Sequence, residues 1–77
     1  MSKKEYVEVI SCFNSYGLVP AELIWKHETH YSIDRVIHIC KCIDSGRPVL
    51  RHTVLIGGKQ KYIYCDENNR WYVNVAG

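Results

Sequence analysis

The sequence predicts an all-β protein, either a small six-stranded antiparallel barrel or a strongly bent meander sheet of SH3-like or OB-like proportions. Apolar and polar residues alternate along nearly the whole chain, which is the two-residue period of a half-buried strand. Clusters of Gly, Pro, Asn, Asp and Ser separate the alternating runs, and no segment of ten residues follows the helical period. At 77 residues the chain has the size of one domain, so residues 1–77 are expected to form a single unit, ordered over about 5–75.

The turn residues delimit six alternating runs. These span residues 5–13, 18–26, 31–43, 49–56, 59–65 and 71–75, with turns at 14–17, 27–30, 44–48 and 66–70. The third run is long for so small a domain and its apolar residues change face, which predicts a bulge or a barrel corner within it. Gly57 and Gly58 form a two-residue loop that needs positive φ angles, as in tight β-hairpins. The pattern also allows one helical turn at 20–23.

The core is predicted from the residues that would point inward on these strands. It comprises Val7, Val9, Phe13, Leu23, Trp25, Ile33, Val36, Ile37, Ile39, Leu50, Val54, Ile56, Ile63, Trp71 and Val73. In a domain of this size the hydrophobic gain and the loss of chain entropy are close to balance. Association into a homodimer would add buried area, so a monomer and a homodimer both stay open.

Charge and hydropathy exclude several classes of protein. A formal net charge of +2 is too small to indicate a nucleic-acid or membrane partner by itself. The N-terminal residues alternate and do not form the continuous apolar stretch of a signal peptide, and no stretch approaches the ~18 apolar residues of a membrane span. We therefore expect a cytoplasmic protein without membrane contact, in which the four cysteines are reduced thiols.

The run from His38 to Cys42 contains residue types that ligate metals. On a strand His38, Cys40 and Cys42 share one face, but successive side chains on a face are about 6.5–7 Å apart, whereas zinc needs ligands at about 2.0–2.3 Å. Chelation would require strong local bending and a fourth ligand from elsewhere. Buried free cysteines also serve as small apolar packing residues. We favour this second interpretation and expect no cofactor.

The sequence contains none of the common catalytic motifs. There is no GxSxG, no HExxH and no clustered pair of acids. The segment around Gly57-Gly58-Lys59 lacks the first glycine and the Ser/Thr of a phosphate-binding loop, and no predicted helix follows it. We expect a protein that is not an enzyme.

Net positive charge is concentrated in the second half of the chain, where aromatic residues lie among the cations. Residues 1–44 carry five Lys or Arg and six Asp or Glu, whereas residues 45–77 carry five and two. If the last three predicted strands are adjacent, cations and rings project from one sheet face, as in small β-barrels that bind single-stranded nucleic acid. The candidate binding residues are Arg51, Lys59, Lys61, Tyr62, Tyr64, Arg70 and Tyr72. Alternatively, the cations only solvate an outer face while the rings close the core.

Five short motifs follow one another along the chain. They are Tyr6-Val7-Glu8-Val9-Ile10, Leu23-Ile24-Trp25, Tyr31-Ser32-Ile33-Asp34-Arg35-Val36, Ile56-Gly57-Gly58-Lys59 and Arg70-Trp71-Tyr72-Val73. The series resembles a group of short, uncharacterised proteins from Gram-positive bacteria over residues 5–75. The resemblance implies a small, β-rich cytoplasmic protein and assigns no catalytic or binding residue. Lys26-His27-Glu28-Thr29 stands where that group has an acidic-glycine turn.

Two classes of function remain open from the sequence. The first is a non-catalytic binding module whose basic and aromatic face contacts a protein or single-stranded nucleic acid. The second is a structural or accessory protein that acts by dimerisation or by adding a strand to a partner's sheet. A small metal-binding protein is a third, more remote class.

Overall fold

The computed structural model describes residues 2–15, 17–26 and 28–76. Tyr16 and His27, which fall in two of the predicted turns, lie outside the described residues. The strands in chain order are β1 Ser2–Asn14, β2 Gly17–Trp25, β3 Thr29–Ser32, β4 Arg35–Asp44, β5 Arg47–Ile56, β6 Lys59–Cys65 and β7 Trp71–Ala76. The prediction of an all-β protein is confirmed.

The strands form one antiparallel sheet in the order β3-β2-β1-β7-β6-β5-β4. Strands β3 and β4 are its edges, so the sheet is not closed and the predicted barrel is wrong. These two edge strands are nevertheless consecutive in the chain, and only Ile33 and Asp34 connect them. The sheet must therefore curl until its two edges meet at this corner.

Two backbone hydrogen bonds hold the corner between the edges. The Ile33 N–H donates to the Ala21 carbonyl of β2, with an N···O distance of 2.9 Å. The Asp34 N–H donates to the Leu55 carbonyl of β5, at 2.8 Å. The two-residue connection is thus bonded to both halves of the sheet.

The strand predicted over 31–43 is divided between β3 and β4, which gives seven strands where six were predicted. Its first residues pair with β2, whereas the rest pairs with β5 at the far edge. A register shift between Val36 and His38 adds the bulge that the change of face predicted. The strand count is wrong because the two-residue period continues on both sides of the break and does not reveal a change of partner.

Residues 20–23 form part of β2, so the helical turn allowed by the sequence is wrong as well. Pro20 lies opposite Ser11, where the register between β1 and β2 shifts. Proline has no N–H to donate to the ladder, and a bulge is one of the places where a sheet tolerates it.

The tight turn predicted at Gly57-Gly58 is confirmed. Both glycines have positive φ angles, 58° and 78°, and join β5 to β6 as a two-residue turn. Ser45 and Gly46 join β4 to β5 in the same way, with φ angles of 53° and 77°.

The hydrophobic core lies on one side of the curled sheet, which we call the core face. Its buried centre consists of Leu23, Ile33, Val54 and Ile63, and partly buried Val7, Trp25, Val36, Ile56, Trp71 and Val73 pack against it. All ten residues belong to the predicted core.

Four residues of the predicted core are exposed: Phe13, Ile37, Ile39 and Leu50. Phe13 is 81% exposed because β1 pairs with β7 only over Ser2–Val7, which leaves the outer part of the β1–β2 hairpin without a neighbour on that side. Ile37 lies at the bulge of β4, and Ile39 lies on the same edge strand. An alternating pattern predicts which side a residue faces but not whether anything covers that side.

Candidate functional site

A row of aromatic and basic side chains crosses four neighbouring strands. Tyr6 of β1 pairs with Tyr72 of β7, Tyr72 pairs with Tyr64 of β6, and Tyr64 pairs with Arg51 of β5. Directly paired residues of antiparallel strands point to the same face, so these four residues share the face opposite the core face. With the residues that alternate beside them or contact their rings, we call this the tyrosine face: Lys4, Tyr6, Arg51, Tyr62, Tyr64, Arg70 and Tyr72.

Tyr72 is the buried centre of the tyrosine face, with only 1% of its surface exposed. Its ring stacks on that of Tyr64, with centroids 5.1 Å apart and planes 9° from parallel. Tyr6 packs edge-on against it at 5.8 Å. The Tyr72 hydroxyl donates a hydrogen bond to the Asp44 carboxylate. Burial, and next this hydrogen bond, raise the pKa of Tyr72, so the side chain is a neutral structural element without an open surface for a ligand.

Asp44 connects the end of β4 to the other side of the sheet. Its carboxylate accepts the Tyr72 hydroxyl and lies 3.2 Å from Nζ of Lys4 on β1. The hydrogen bond from Tyr72 is the largest cause that lowers the pKa of Asp44, followed by the one from Lys4. The Lys4 ammonium also lies 4.6 Å from the centre of the Tyr72 ring. One carboxylate thus joins β4, β7 and β1.

Two rings of the tyrosine face are open to solvent, and each has an arginine beside it. Tyr6 is 50% exposed and Tyr62 is 48% exposed. The Arg70 guanidinium lies 5.1 Å from the centre of the Tyr6 ring, and that of Arg51 lies 4.8 Å from the centre of the Tyr62 ring. Both distances are within the range of cation–π attraction. The accessible part of the face therefore consists of two ring-and-guanidinium pairs.

The loop before β7 fixes the position of Arg70. The Asp66 carboxylate accepts hydrogen bonds from the backbone N–H groups of Asn68 and Arg70, both at 2.9 Å, and from Nε of Arg70 at 3.2 Å. The hydrogen bond from the Arg70 backbone is the largest cause that lowers the pKa of Asp66. Because Asp66 holds both the backbone and the side chain of Arg70, the guanidinium is positioned before any ligand arrives.

The prediction that all the basic candidates share one face is wrong. Lys61 pairs with Val54, and Lys59 pairs with Ile56, and both partners belong to the core. The two lysines therefore project on the core side of the sheet, opposite Arg51 and Tyr62. Alternation along β6 requires this separation, since Lys61 and Tyr62 are neighbours in one strand.

Lys59 and Lys61 line a cleft of about 670 Å³ on the core side. Apolar and aromatic residues form much of the rest of its lining, among them Leu23, Trp25, Tyr31 and Ile63. None of the residues that line it is Asp or Glu. Tyr62 and Tyr64 also line it, so this cleft is a second feature with basic and aromatic residues, and it adjoins the tyrosine face.

The three residues proposed as metal ligands do not come together as a set. Cys40 and Cys42 place their Sγ atoms 3.7 Å apart. Within residues 2–15, 17–26 and 28–76, however, no group of three His, Cys, Asp or Glu side chains could hold a metal ion, so His38 does not complete the pair. All four cysteines are free thiols.

Four residues of the site are not among the candidates predicted from the sequence: Lys4, Tyr6, Asp44 and Asp66. Alternation places Lys4 and Tyr6 on one side of β1, but no local signal indicates that β1 lies beside β7. Asp44 and Asp66 were assigned to turns, and only the folded chain shows that their carboxylates hold Tyr72 and Arg70.

Comparison with protein-family models, with curated proteins and with solved structures finds no match to this chain. Among the described residues, no helix has the length and apolar character needed to cross a membrane.

Proposed function

We propose that this protein is a non-catalytic binding module whose tyrosine face binds single-stranded nucleic acid. The pairing of each exposed ring with a guanidinium, Tyr6 with Arg70 and Tyr62 with Arg51, carries the proposal. Aromatic rings stack with bases of any sequence, and adjacent cations neutralise the phosphates. Sheet faces of small β-proteins bind single strands in this way.

The spacing of the two exposed rings supports an extended ligand. Tyr6 and Tyr62 are separated by two strand spacings across the sheet and two residues along it, which corresponds to about 12 Å. Partly buried Tyr64 lies at the surface between them, whereas Tyr72 is buried there. A strand that stacks a base on each exposed ring would cross this surface with its phosphates near Arg51 and Arg70.

The charges of the face predict moderate affinity. Two of its three cations, Lys4 and Arg70, already contact a carboxylate. Ring stacking should therefore contribute more than phosphate neutralisation. Three cations that all neutralise phosphates would give the logarithm of the association constant a slope of about −2 against the logarithm of salt concentration, and the two carboxylate contacts should make the measured slope shallower.

Fluorescence anisotropy of a labelled oligothymidine, measured over a salt series, tests this proposal. Tyr62→Ala should weaken binding by roughly 5- to 150-fold, the effect of losing one stacked base. Tyr62→Phe keeps the ring and should bind nearly as the wild type does. Circular dichroism of each variant confirms that the sheet is intact.

The matched control removes charge from the opposite side of the sheet. The double variant Lys59→Gln/Lys61→Gln lowers the positive charge by two without touching the tyrosine face, so it should retain most of the binding. Failure of the wild type to bind at about 50 mM salt would overturn the proposal. If the lysine double variant loses more affinity for the oligothymidine than Tyr62→Ala does, the binding site is the cleft and not the tyrosine face.

Edge strand β4 favours dimerisation as a second candidate function. It presents ten residues at an unpaired edge, and Ile37, Ile39 and Ile43 are 47%, 46% and 73% exposed. An apolar edge with unpaired backbone groups is suited to pair with the same edge of a second copy. Ile39→Lys should then shift the protein to monomer in sedimentation equilibrium, whereas Phe13→Ser, which removes an exposed ring from the β1–β2 hairpin, should not. A wild type that stays monomeric at high concentration would exclude this candidate.

A further inference from the structure

Two thiols contact each other on the edge strand β4. The Sγ atoms of Cys40 and Cys42 are 3.7 Å apart, and both side chains are partly exposed. Because β4 has a neighbour on one side only, β5, the pair lies where a small reagent can reach it. The function proposed above makes no use of these thiols.

We propose that Cys40 and Cys42 form a redox-active dithiol, which exchanges with small-molecule disulfides and closes reversibly to a disulfide within β4. Cys40 is the attacking sulfur and Cys42 the resolving one. Three features of the pair support these roles: the sulfurs are in contact, a cation is paired with one of them, and the two thiols have different surroundings.

Arg51 supplies the cation. It lies directly opposite Cys40 in the pairing of β4 with β5. Electrostatic attraction to Cys40 is the largest cause that raises the pKa of Arg51, and attraction to Cys42 contributes less. Its Nε atom is buried and has no hydrogen-bond partner among the described residues. A cation next to a thiol favours the thiolate, which is the nucleophile in disulfide exchange.

The surroundings of Cys42 differ from those of Cys40. The hydrogen bond with Cys40 is the largest cause that raises the pKa of Cys42, and burial raises it further. Cys42 therefore holds its proton more firmly than an ordinary thiol does, which suits a resolving cysteine. Cys40 is the sulfur directly opposite the Arg51 guanidinium in the pairing of β4 with β5, and this position suits the attacking cysteine.

Exchange proceeds in two balanced steps. The Cys40 thiolate attacks one sulfur of a small disulfide such as oxidised glutathione, the S–S bond of that molecule breaks, and one thiolate leaves. Cys42 then loses its proton to water and attacks the Cys40 sulfur of the mixed disulfide. The second thiolate leaves, so two electrons pass from the two cysteines to the reagent.

Strand geometry explains why the disulfide should be easy to reduce again. The Cα atoms of two residues that flank one residue in a strand are about 6.6 Å apart, near the upper limit of ~6.8 Å for a disulfide. Closing the bond requires β4 to shorten locally, which an edge strand permits. Strained, exposed disulfides are the labile ones.

The other two cysteines are matched controls. Cys12 lies on the β1–β2 hairpin and lines a cleft with residues 35–39 of β4, but neither Cys40 nor Cys42 lines that cleft. Cys65 lies on β6, and burial, with a smaller effect of Asp66, raises its pKa. Neither makes a contact with another thiol among the described residues, so the proposal requires neither.

Intact and tandem mass spectrometry test the proposal. The full-length protein is incubated with oxidised glutathione, quenched in acid and alkylated. The expected product has lost two hydrogens, leaves Cys40 and Cys42 unalkylated, and recovers both thiols after mild reduction. The double variant Cys12→Ser/Cys65→Ser should give the same product.

Single variants distinguish the attacking sulfur from the resolving one. Cys42→Ser should accumulate a glutathione adduct on Cys40, whereas Cys40→Ser should react at Cys42 on the order of tenfold more slowly. Arg51→Gln should slow adduct formation in the Cys42→Ser background. Complete alkylation of Cys40 and Cys42 in oxidised wild type would overturn the proposal. A first disulfide that includes Cys12 or Cys65 would also overturn the proposal. Equal rates of glutathione adduct formation in Cys42→Ser and Cys40→Ser would overturn the assignment of the attacking sulfur.

Discussion

Tyr72 is the residue that holds the tyrosine face together. Its ring stacks on Tyr64 and packs against exposed Tyr6, and its hydroxyl donates a hydrogen bond to Asp44. Asp44 also contacts Lys4 and accepts a hydrogen bond from the Ser45 hydroxyl. The ring and the hydroxyl therefore have separate roles, packing on one side and a link between strands on the other.

Replacement of Tyr72 by Phe separates these two roles. The ring stack remains, but the hydrogen bond to a carboxylate is lost, so the free energy of unfolding should fall by about 1–2 kcal/mol in urea titrations at pH 7. Tyr72→Ala should cost about 3–5 kcal/mol because it also leaves a cavity. Tyr62→Phe, at an exposed ring, should change stability by less than about 0.5 kcal/mol.

The difference in the free energy of unfolding between wild type and Tyr72→Phe should depend on pH. The Tyr72 hydroxyl lowers the pKa of Asp44 below its ordinary value of 3.8, so its stabilisation is present above pH 3.8 and is lost as the pH falls through the lowered folded-state pKa. A difference that stays constant down to the acid transition would contradict this assignment.

His52 is a second residue with a predictable pH response. It is 6% exposed, packs against Trp71 at 4.8 Å between ring centroids, and leaves Nδ1 without a hydrogen bond among the described residues. Burial lowers the pKa of His52 from its ordinary value of 6.5, against a smaller opposite effect of a hydrogen bond to the Leu50 backbone. The unfolded chain therefore takes up a proton at a higher pH than the folded protein does.

The free energy of unfolding should decrease as the pH falls below 6.5 and toward the lowered pKa of folded His52. His52→Phe cannot be protonated and should lose this part of the pH dependence. His38→Gln removes an exposed imidazole and should retain it. Urea titrations between pH 7 and the acid transition measure the effect, and an unchanged pH profile in His52→Phe would exclude His52 as its source.

At the scale of the elements, the β5–β6 hairpin depends on its two glycines. Both have positive φ angles, and a Cβ at either position would meet no atom within 4 Å. The cost of a substitution there is therefore backbone strain and not steric overlap.

Gly58→Ala should lower the free energy of unfolding by about 1–2 kcal/mol, the cost of the left-handed conformation for a residue with a Cβ. Gly58→Asn should cost less, because Asn tolerates this conformation better. Thermal or urea unfolding of the two variants measures the difference. Equal effects of Ala and Asn would show that something other than the φ angle requires glycine.

At the scale of the whole molecule, the corner at Ile33 and Asp34 keeps the sheet curled. It connects the two edge strands and bonds to β2 and β5, which belong to opposite halves of the sheet. The buried Ile33 side chain is part of the core, so the corner and the core support each other.

Asp34→Pro removes the N–H that donates to Leu55 and should lower the free energy of unfolding by about 1–3 kcal/mol, the cost of leaving that acceptor unpaired. Asp34→Ala keeps the N–H and should cost much less. Hydrogen exchange should show faster exchange at the corner in the proline variant. Identical stability of the two variants would mean that the curl does not depend on this bond.

Much of the local structure follows from the sequence alone. Alternation identifies strands, and the positive φ angles needed between closely spaced strands identify the turn at Gly57-Gly58, because both depend only on neighbouring residues. The opposite faces of Lys61 and Tyr62 also follow from alternation, although the prediction of one basic face overlooked it. The parts of the candidate site that lie on β6 were therefore within reach of sequence reasoning.

Only the tertiary structure decided which strands became neighbours. It placed β1 beside β7, so that Tyr6 meets Tyr72, and it divided the long third run at Ile33 and Asp34. It also brought Asp44 to Tyr72 and left Phe13 in solvent. These outcomes depend on contacts between segments distant in the chain, and the periodicity of a segment carries no information about which other segment will cover it.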